Sequence, residues 1–347
     1  MSILHSATKP KSQRLTPRRG SFHHQLGVSL IELMVGLTLG LIIVVALLAI
    51  FANASGAGRD LQRSSIQIEN GRYVAELLQD ELKLAGFFGE TSVTGATYTT
   101  PNPCLTTPTG FSTTLGFPTP VQGYGPSDAL ACLTSRNRKA GTHALVVRRL
   151  DVVAVAPASI ASGASQYYVQ YSFCTTDPSN PKLLFDKSAA SFTLRNLQCN
   201  TPNQVRAYVS RIYYISTCNV CSPSDGVPTL KRLDLVGDEL QATALVDGIE
   251  EMRFEYGFDT NGNGDVDEYR AGLGTGATAL WQNVMSIKVH FITRSLDKVT
   301  SGAGLATAQS FQLGGTDVLN VAADGYVRRA YSTTVRLINP SGAREIQ

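Results

Sequence analysis

The chain has 347 residues, enough for one large domain or two. Charged residues are 16%, against about 25% in an ordinary soluble domain, and 43% hydrophobic with 8% aromatic residues exclude wholesale disorder. The net charge of +3 is unevenly placed. Residues 1–27 carry Lys9, Lys11, Arg14, Arg18 and Arg19 with no acid, and the 30 basic residues less those five leave 25 against 27 acidic ones. Without that leader the chain is slightly acidic, which removes a general electrostatic attraction to nucleic acid.

After the leader, Val28 to Phe51 is apolar apart from Glu32, and no charge falls between Leu33 and Phe51. As a helix this stretch is about 36 Å long, sufficient for a hydrocarbon core of roughly 30 Å. The basic leader sets its orientation, with the leader cytoplasmic and the remaining chain across the membrane. Ala52-Asn53-Ala54 resembles a signal-peptidase site, but the apolar run is longer than the usual 7–15 residues and opens on a carboxylate. A lone acid in an apolar span costs a few kcal/mol unless paired, so Glu32 is a functional candidate. Gly36 and Gly40 form a G-x-x-x-G pair that lets helices approach closely.

The run Gly27-Val28-Ser29-Leu30-Ile31-Glu32-Leu33-Met34 resembles the processing site of type IV prepilins and type II secretion pseudopilins. The resemblance implies cleavage after Gly27 by a prepilin peptidase and N-methylation of Val28. Glu32 then stands fifth in the mature chain, where it would neutralise the terminal amine of a neighbouring subunit and set axial register. Phenylalanine or methionine is commoner at the position of Val28.

Beyond the small-residue stretch Ala52–Gly58, the residues Val74, Leu77, Leu78, Leu82 and Ala85 recur at three- and four-residue steps, opposite Arg72, Glu76, Asp80, Glu81 and Lys83. Gly86 is a suitable terminator. The pattern predicts one helix from about Val28 to Ala85. Its later part, from Arg72 through Leu77, Leu78 and Ala85 to Gly89, is similar to the corresponding stretch of PilW-type minor pilins. Thr91 to about Gly141 shows little periodicity and reads as a long loop with short strands. Strands are predicted at Ala144–Val155, Gln166–Cys174, Gln204–Thr217, Leu230–Val236, Gly248–Phe258, Val284–Thr293 and Val327–Asn339. Residues Ser295–Gly325 read as another loop. Trp281–Ser295 and Arg328–Pro340 also resemble the closing strands of PilW-type proteins, whereas the middle, about 90–245, carries no familiar motif. The fold class is α+β: a type IV pilin-like long N-terminal helix, transmembrane in its first half, packed on an antiparallel β-sheet head. The domain reading is a cleaved leader over 1–27, a transmembrane part over 28–51, an amphipathic continuation over 52–86 and a periplasmic head over 87–347.

All six cysteines, Cys104, Cys132, Cys174, Cys199, Cys218 and Cys221, follow the apolar span and fit disulfides in an oxidising compartment. Neighbour pairing is favoured among the fifteen arrangements. A zinc reading of Cys218-Asn219-Val220-Cys221 lacks a second C-x-x-C. In the segment 259–268, Asp259, Asn261, Asn263, Asp265 and Asp267 place oxygens at alternate positions, with Gly264 sixth. That is the spacing of a calcium loop. Arg270 stands where the twelfth-position acid belongs, and the flanks read as strands. The alternative is a solvated Asn-Gly hairpin turn.

His143 and His290 lie in strand-like runs, and no nucleophile or paired-carboxylate motif appears, so enzymatic activity is not expected. Arg136, Arg138, Lys139, Arg148 and Arg149 form a basic cluster that reads as a solvated sheet face rather than a nucleic-acid contact. The resemblance implies a minor pilin of the PilW kind that primes pilus assembly, lies near the tip, and supports twitching motility and adhesion. Its implied partners are the prepilin peptidase, other minor pilins, the major pilin, a tip adhesin and the inner membrane. Calcium is the one cofactor the residues suggest. A type II secretion pseudopilin of the J kind and a membrane-tethered periplasmic calcium-binding module are the alternatives.

Overall fold

The computed structural model describes residues 27–91, 96–178, 180–272, 278–299, 308–315 and 317–345. The basic leader up to residue 26 lies outside them. The chain divides into two compact units within its first helix, at Arg59/Asp60. That helix, α1, runs Leu30–Leu84, two residues inside the predicted start and one inside the predicted end. In the first unit, every residue from Gly27 to Ser55 is exposed. The apolar stretch of α1 is long and hydrophobic enough to cross a membrane.

In the second unit, α1 buries Gln67, Gly71, Val74, Leu78, Glu81 and Leu82, a stripe at three- and four-residue steps. The helix stops at Gly86, whose φ of +73° suits glycine and whose N–H bonds to the Arg148 carbonyl at 3.0 Å. The Asn339 side chain caps the last turn, donating to the carbonyls of Lys83 and Ala85 at 3.2 and 3.1 Å.

The head follows. Its first part holds β1 (Thr97–Thr99), β2 (Gly116–Pro118), β3 (Val121–Tyr124), the short helix α2 (Ala131–Thr134), β4 (Ala144–Val155), β5 (Tyr168–Tyr171) and β6 (Leu183–Asp186). Then come β7 (Val205–Ser216), β8 (Thr229–Val236), β9 (Glu239–Asp247), β10 (Ile249–Phe258), β11 (Glu268–Arg270), α3 (Thr278–Trp281), β12 (Val284–Arg294), β13 (Gln309–Gln312), β14 (Val318–Val321), β15 (Arg328–Arg336) and α4 (Ile338–Glu345). A seven-stranded sheet runs β3-β4-β7-β5-β6, with β8 also on β7 and β9 on β8. A four-stranded sheet runs β11-β10-β12-β15. Pairing in both sheets is antiparallel. The α+β layout of a long helix and antiparallel sheets is therefore as the sequence reads.

The main core joins three surfaces. Val74, Leu78 and Leu82 of α1 meet Val121, Leu145 and Tyr213 of the larger sheet and Met252, Phe254, Ile287, Phe291 and Val335 of the smaller one. Each fully buried aliphatic side chain there contributes about 1.5–3 kcal/mol of transfer free energy. A second, aromatic cluster lies below the helix end, where Phe88 stacks on Phe117 with ring centres 5.1 Å apart and Phe111 meets Tyr208 edge-on at 5.2 Å. Three disulfides join Cys104 to Cys132, Cys174 to Cys199 and Cys218 to Cys221, the neighbour pairing the sequence favours.

The structure departs from the sequence reading in several places. Strands β6 and β9 are absent from the predicted set, β13 and β14 pair within the stretch read as a loop, and the predicted last strand ends at Arg336, giving way to α4. The basic cluster is no solvated face. Arg148 is 1% exposed, held by the Gln122 side chain at 2.8 Å and the carbonyls of Pro101 and Thr119 at 2.8 and 3.2 Å. Arg149 meets Glu81, Lys139 lies 3.8 Å from Glu251, and Arg136 and Arg138 donate to backbone carbonyls. Arg136, Arg138 and Arg148 thus satisfy backbone carbonyls, while Arg149 and Lys139 pair with carboxylates.

Candidate functional site

Three regions carry the residues singled out in the sequence. The first is the start of α1. Gly27 and Val28 precede the helix, and Ser29 caps it: the Ser29 hydroxyl accepts the Glu32 N–H at 3.2 Å, while the Ser29 carbonyl accepts the Leu33 N–H at 3.1 Å. Ser29-Leu30-Ile31-Glu32 thus has the S-x-x-E spacing of a capping box, a local signal beside the processing motif. A carboxylate in the first turn also complements the positive end of the helix dipole. Glu32 is exposed, as are Gly36 and Gly40, where an added Cβ meets nothing within 4 Å. The glycine pair leaves a bare strip of backbone on this part of the helix.

The second region is where α1 is gripped by the head. Gly71 sits against the ring of Tyr331, and a Cβ there would fall 2.4 Å from the ring's Cζ. The Tyr331 hydroxyl donates to the Gln67 carbonyl at 3.2 Å, and the Gln67 amide donates to the Val327 carbonyl at 2.7 Å. Gln79 donates to the Thr333 hydroxyl at 2.8 Å. Asn70 donates to the Asp247 carbonyl at 3.1 Å. Glu81, buried, receives Arg149 at 3.2 Å from β4 and Arg211 at 2.5 Å from β7. Arg211 is shared with Asp234 at 3.0 Å. The helix is therefore fixed in rotation and in axial position by side chains, not by apolar contact alone. Sequence reading placed Glu81 on the polar face. What hid its role is that its partners lie 68 and 130 residues away.

The third region is the acidic loop, which joins β10 to β11 as a hairpin with strands on both flanks. Asp259 is buried; its carboxylate accepts the Asn261, Gly262 and Gly264 N–H groups at 3.2, 2.6 and 2.9 Å, and Arg344 of α4 at 2.8 Å. Burial alone would raise the Asp259 pKa, but Arg344 and the loop amides outweigh it and hold the carboxyl below its ordinary value. Asp267 accepts the Thr260 N–H and hydroxyl, both at 2.7 Å, and the Asn261 amide at 2.9 Å. Asn261 and Asn263 turn back on the backbone, accepting the N–H groups of Asn263 and Asp265 at 3.0 and 2.8 Å. Asp265 is exposed and lies 3.9 Å from Arg336. The side chains of Asp259, Asn261, Asn263 and Asp267 are thus engaged in hydrogen bonds within the loop. Among the described residues no three His, Cys, Asp or Glu side chains gather as a metal set. In this structure the cation that meets the loop is the Arg344 guanidinium, paired with Asp259. Arg344 also bonds to the Gln282 carbonyl at 3.2 Å and to Asn283, so α4 is latched to the hairpin. No sequence pattern marks this latch, since Arg344 and Asp259 lie 85 residues apart.

The remaining histidines are structural in placement. His143 is buried, its Nδ1 facing the Phe254 N–H at 3.4 Å, and burial first, then Arg253, push its pKa down to about 4. His290 pairs with Glu255 at 3.0 Å.

Residues 212–339 match the family model of type IV pilus-assembly protein W. That segment resembles the PilW family of type IV pilus-assembly proteins. The matched segment begins inside β7, ends at the first turn of α4, and includes Arg211's neighbours, Val327, Tyr331, Thr333 and Asn339. The matched segment supplies the contacts to Gln67, Asn70, Gln79 and Ala85, while Glu81 is held by Arg149 and Arg211 outside it. No curated protein and no solved structure shows significant similarity to the chain. The match supports involvement in type IV pilus assembly, and the apolar helix fits membrane anchoring.

Proposed function

We propose that this protein is a minor pilin that helps to start type IV pilus assembly and lies in the priming complex at the pilus tip. One observation carries the reading: a head with a PilW-like segment grips the carboxy-terminal half of a helix whose other half carries an apolar span that opens on a prepilin-type motif. In this reading a prepilin peptidase cuts after Gly27 while the helix is in the inner membrane, with the head in the periplasm. The new amine of Val28 is then methylated. Glu32 of one subunit neutralises the terminal amine of its neighbour as the helices leave lipid, because an unpaired charge in an apolar bundle is costly. Gly36 and Gly40 allow the close approach of the next helix. Other minor pilins and the major pilin pack on this helix, and a tip adhesin joins the complex.

A deletion strain tests the proposal. Loss of surface pili and twitching with type II secretion intact supports it, and complementation by the full chain restores both. Intact pili with lost secretion would instead assign a pseudopilin of the J kind.

A further inference from the structure

The three disulfides differ in their surroundings. Cys104 packs with Cys132 beside the cluster around Leu130, Leu133 and Tyr214, and Cys174 is buried. Cys218 and Cys221 are three residues apart, in the connection between β7 and β8. The Cys218 sulfur is buried, whereas Cys221 is half-buried and its neighbour Val220 is 58% exposed. The Lys231 ammonium lies 3.6 Å from the Cys221 sulfur and 3.0 Å from the Asn219 carbonyl. No comparable lysine or arginine contact with the other four sulfurs occurs among the described residues.

We propose that Cys218–Cys221 is a thiol–disulfide exchange site whose co-reactant is a dithiol, of a small molecule or of an oxidoreductase. A C-x-x-C pair beside a cation has the surroundings that favour thiolate and so speed exchange. The two acids that face Lys231 are Asp225 and Asp247. Both are engaged elsewhere: Asp225 accepts the N–H groups of Asn219, Val220 and Val227, and Asp247 accepts the Asn219 amide and the Thr229 hydroxyl. Lys231 is left to face the sulfur.

The exchange balances without a further reagent. One thiolate of the dithiol attacks the Cys221 sulfur, the Cys218–Cys221 bond breaks, and Cys218 leaves as a thiolate that takes a proton from water. The second thiolate of the reductant then attacks its own sulfur in the mixed disulfide. Cys221 leaves as a thiolate stabilised by the Lys231 ammonium. Two electrons pass from the dithiol to the protein, which gains two thiols as the reductant becomes a disulfide.

Opening this bond also disturbs the fold least. In the chain-entropy relation, a loop of 3 residues constrains the unfolded chain less than loops of 25 and 28, a difference of roughly twentyfold in the folding equilibrium. Exchange at Cys218–Cys221 can therefore run back and forth on a folded head. Its local effect falls on Asn219, which shares Asp247 with Asn70 of α1.

Full-length protein in detergent, treated with graded dithiothreitol, alkylated and mapped by peptide mass spectrometry, tests the site. Cys218 and Cys221 should be labelled about tenfold or more ahead of the other four, with near-ultraviolet circular dichroism unchanged, and a trapped mixed disulfide should sit on Cys221. Lys231→Met should slow their reduction about threefold or more, and Lys231→Arg should restore it. Opening of either other pair first, simultaneous opening of all three, trapping on Cys218, or an unaltered rate in Lys231→Met would overturn the proposal.

Discussion

Gly71→Ala sets two known effects against each other at the closest approach between α1 and the head. An alanine inside a helix is favoured over glycine by about 1 kcal/mol, so propensity alone predicts a more stable protein. The structure predicts the reverse. The new Cβ would stand 2.7 Å from Cε1 and Cε2 of Tyr331 and 2.4 Å from Cζ, the last more than 1 Å inside an ordinary contact of about 3.5–4.0 Å. The ring has little room to yield. It stacks on Phe291 with centres 5.3 Å apart and planes 10° apart, and its hydroxyl is tied to the Gln67 carbonyl. Overpacking of this kind costs about 1–3 kcal/mol, and a displacement beyond 1 Å belongs at the upper end. The expected net loss is about 1–2 kcal/mol, measured by denaturant unfolding of the full chain in detergent with near-ultraviolet circular dichroism as the probe. Gly58→Ala, where nothing lies within 4 Å of the new Cβ, should not destabilise the protein. In a Tyr331→Ala background the clash is gone and Gly71→Ala should become neutral or stabilising. A Gly71→Ala protein as stable as the parent would refute the helix placement.

Four further outcomes follow from other contacts in the head. Glu81→Ala leaves Arg149 and Arg211 without their shared carboxylate under α1 and should lower stability by about 3 kcal/mol, whereas Glu81→Gln should lose less; thermal unfolding compares them. Arg344→Met strands the buried Asp259 carboxylate and should lower stability by about 2 kcal/mol at neutral pH. Because the Asp259 pKa is held below 3.8, the pair's contribution is present above that value and lost as pH falls below it, so the variant should show a flatter acid transition. Calcium titrated into the parent protein by calorimetry should give no saturable heat while Arg344 occupies the loop; saturable binding abolished by Asp259→Ala would show that the hairpin rearranges around the ion. His143 runs the other way. Its folded pKa of about 4 lies below the ordinary 6.5, so the unfolded chain binds the proton first and stability declines as pH falls from about 6.5 to 4. His143→Gln should remove that slope, and an unchanged slope would assign it to other groups.

What could be read from the sequence was periodic or local. The strand Ala144–Val155 coincides with β4, and Val284–Thr293 falls one residue short of β12, because β-branched and aromatic runs state their own conformation. The strand β9, Glu-Leu-Gln-Ala-Thr-Ala-Leu-Val-Asp, has no such run; it exists because Gly237, at φ +66°, lets the chain double back on β8. Helix α4 was masked by Pro340 and Gly342, yet Pro340 lies in the first turn, where its missing N–H costs nothing. Asp259 to Asp267 stand out in the sequence as a polar loop that suits either a calcium site or an Asn-Gly turn, and spacing alone does not show a guanidinium arriving from residue 344. The grip on α1 was invisible for the same reason: Glu81, Arg149 and Arg211 are linked by tertiary distance, not by pattern. The inward arginines of β4 show the limit of reading charge as exposure, since Arg148 is among the most deeply buried side chains in the head.

The mass of the mature amino terminus tests the account most directly. Protein recovered from membranes or pili, digested and analysed by mass spectrometry, should begin at Val28 and carry one methyl group on its α-amine. A chain that begins upstream of Val28, or one cut near Ala54 so that Glu32 and the apolar half of α1 are gone, would contradict the assignment to pilus assembly through this helix.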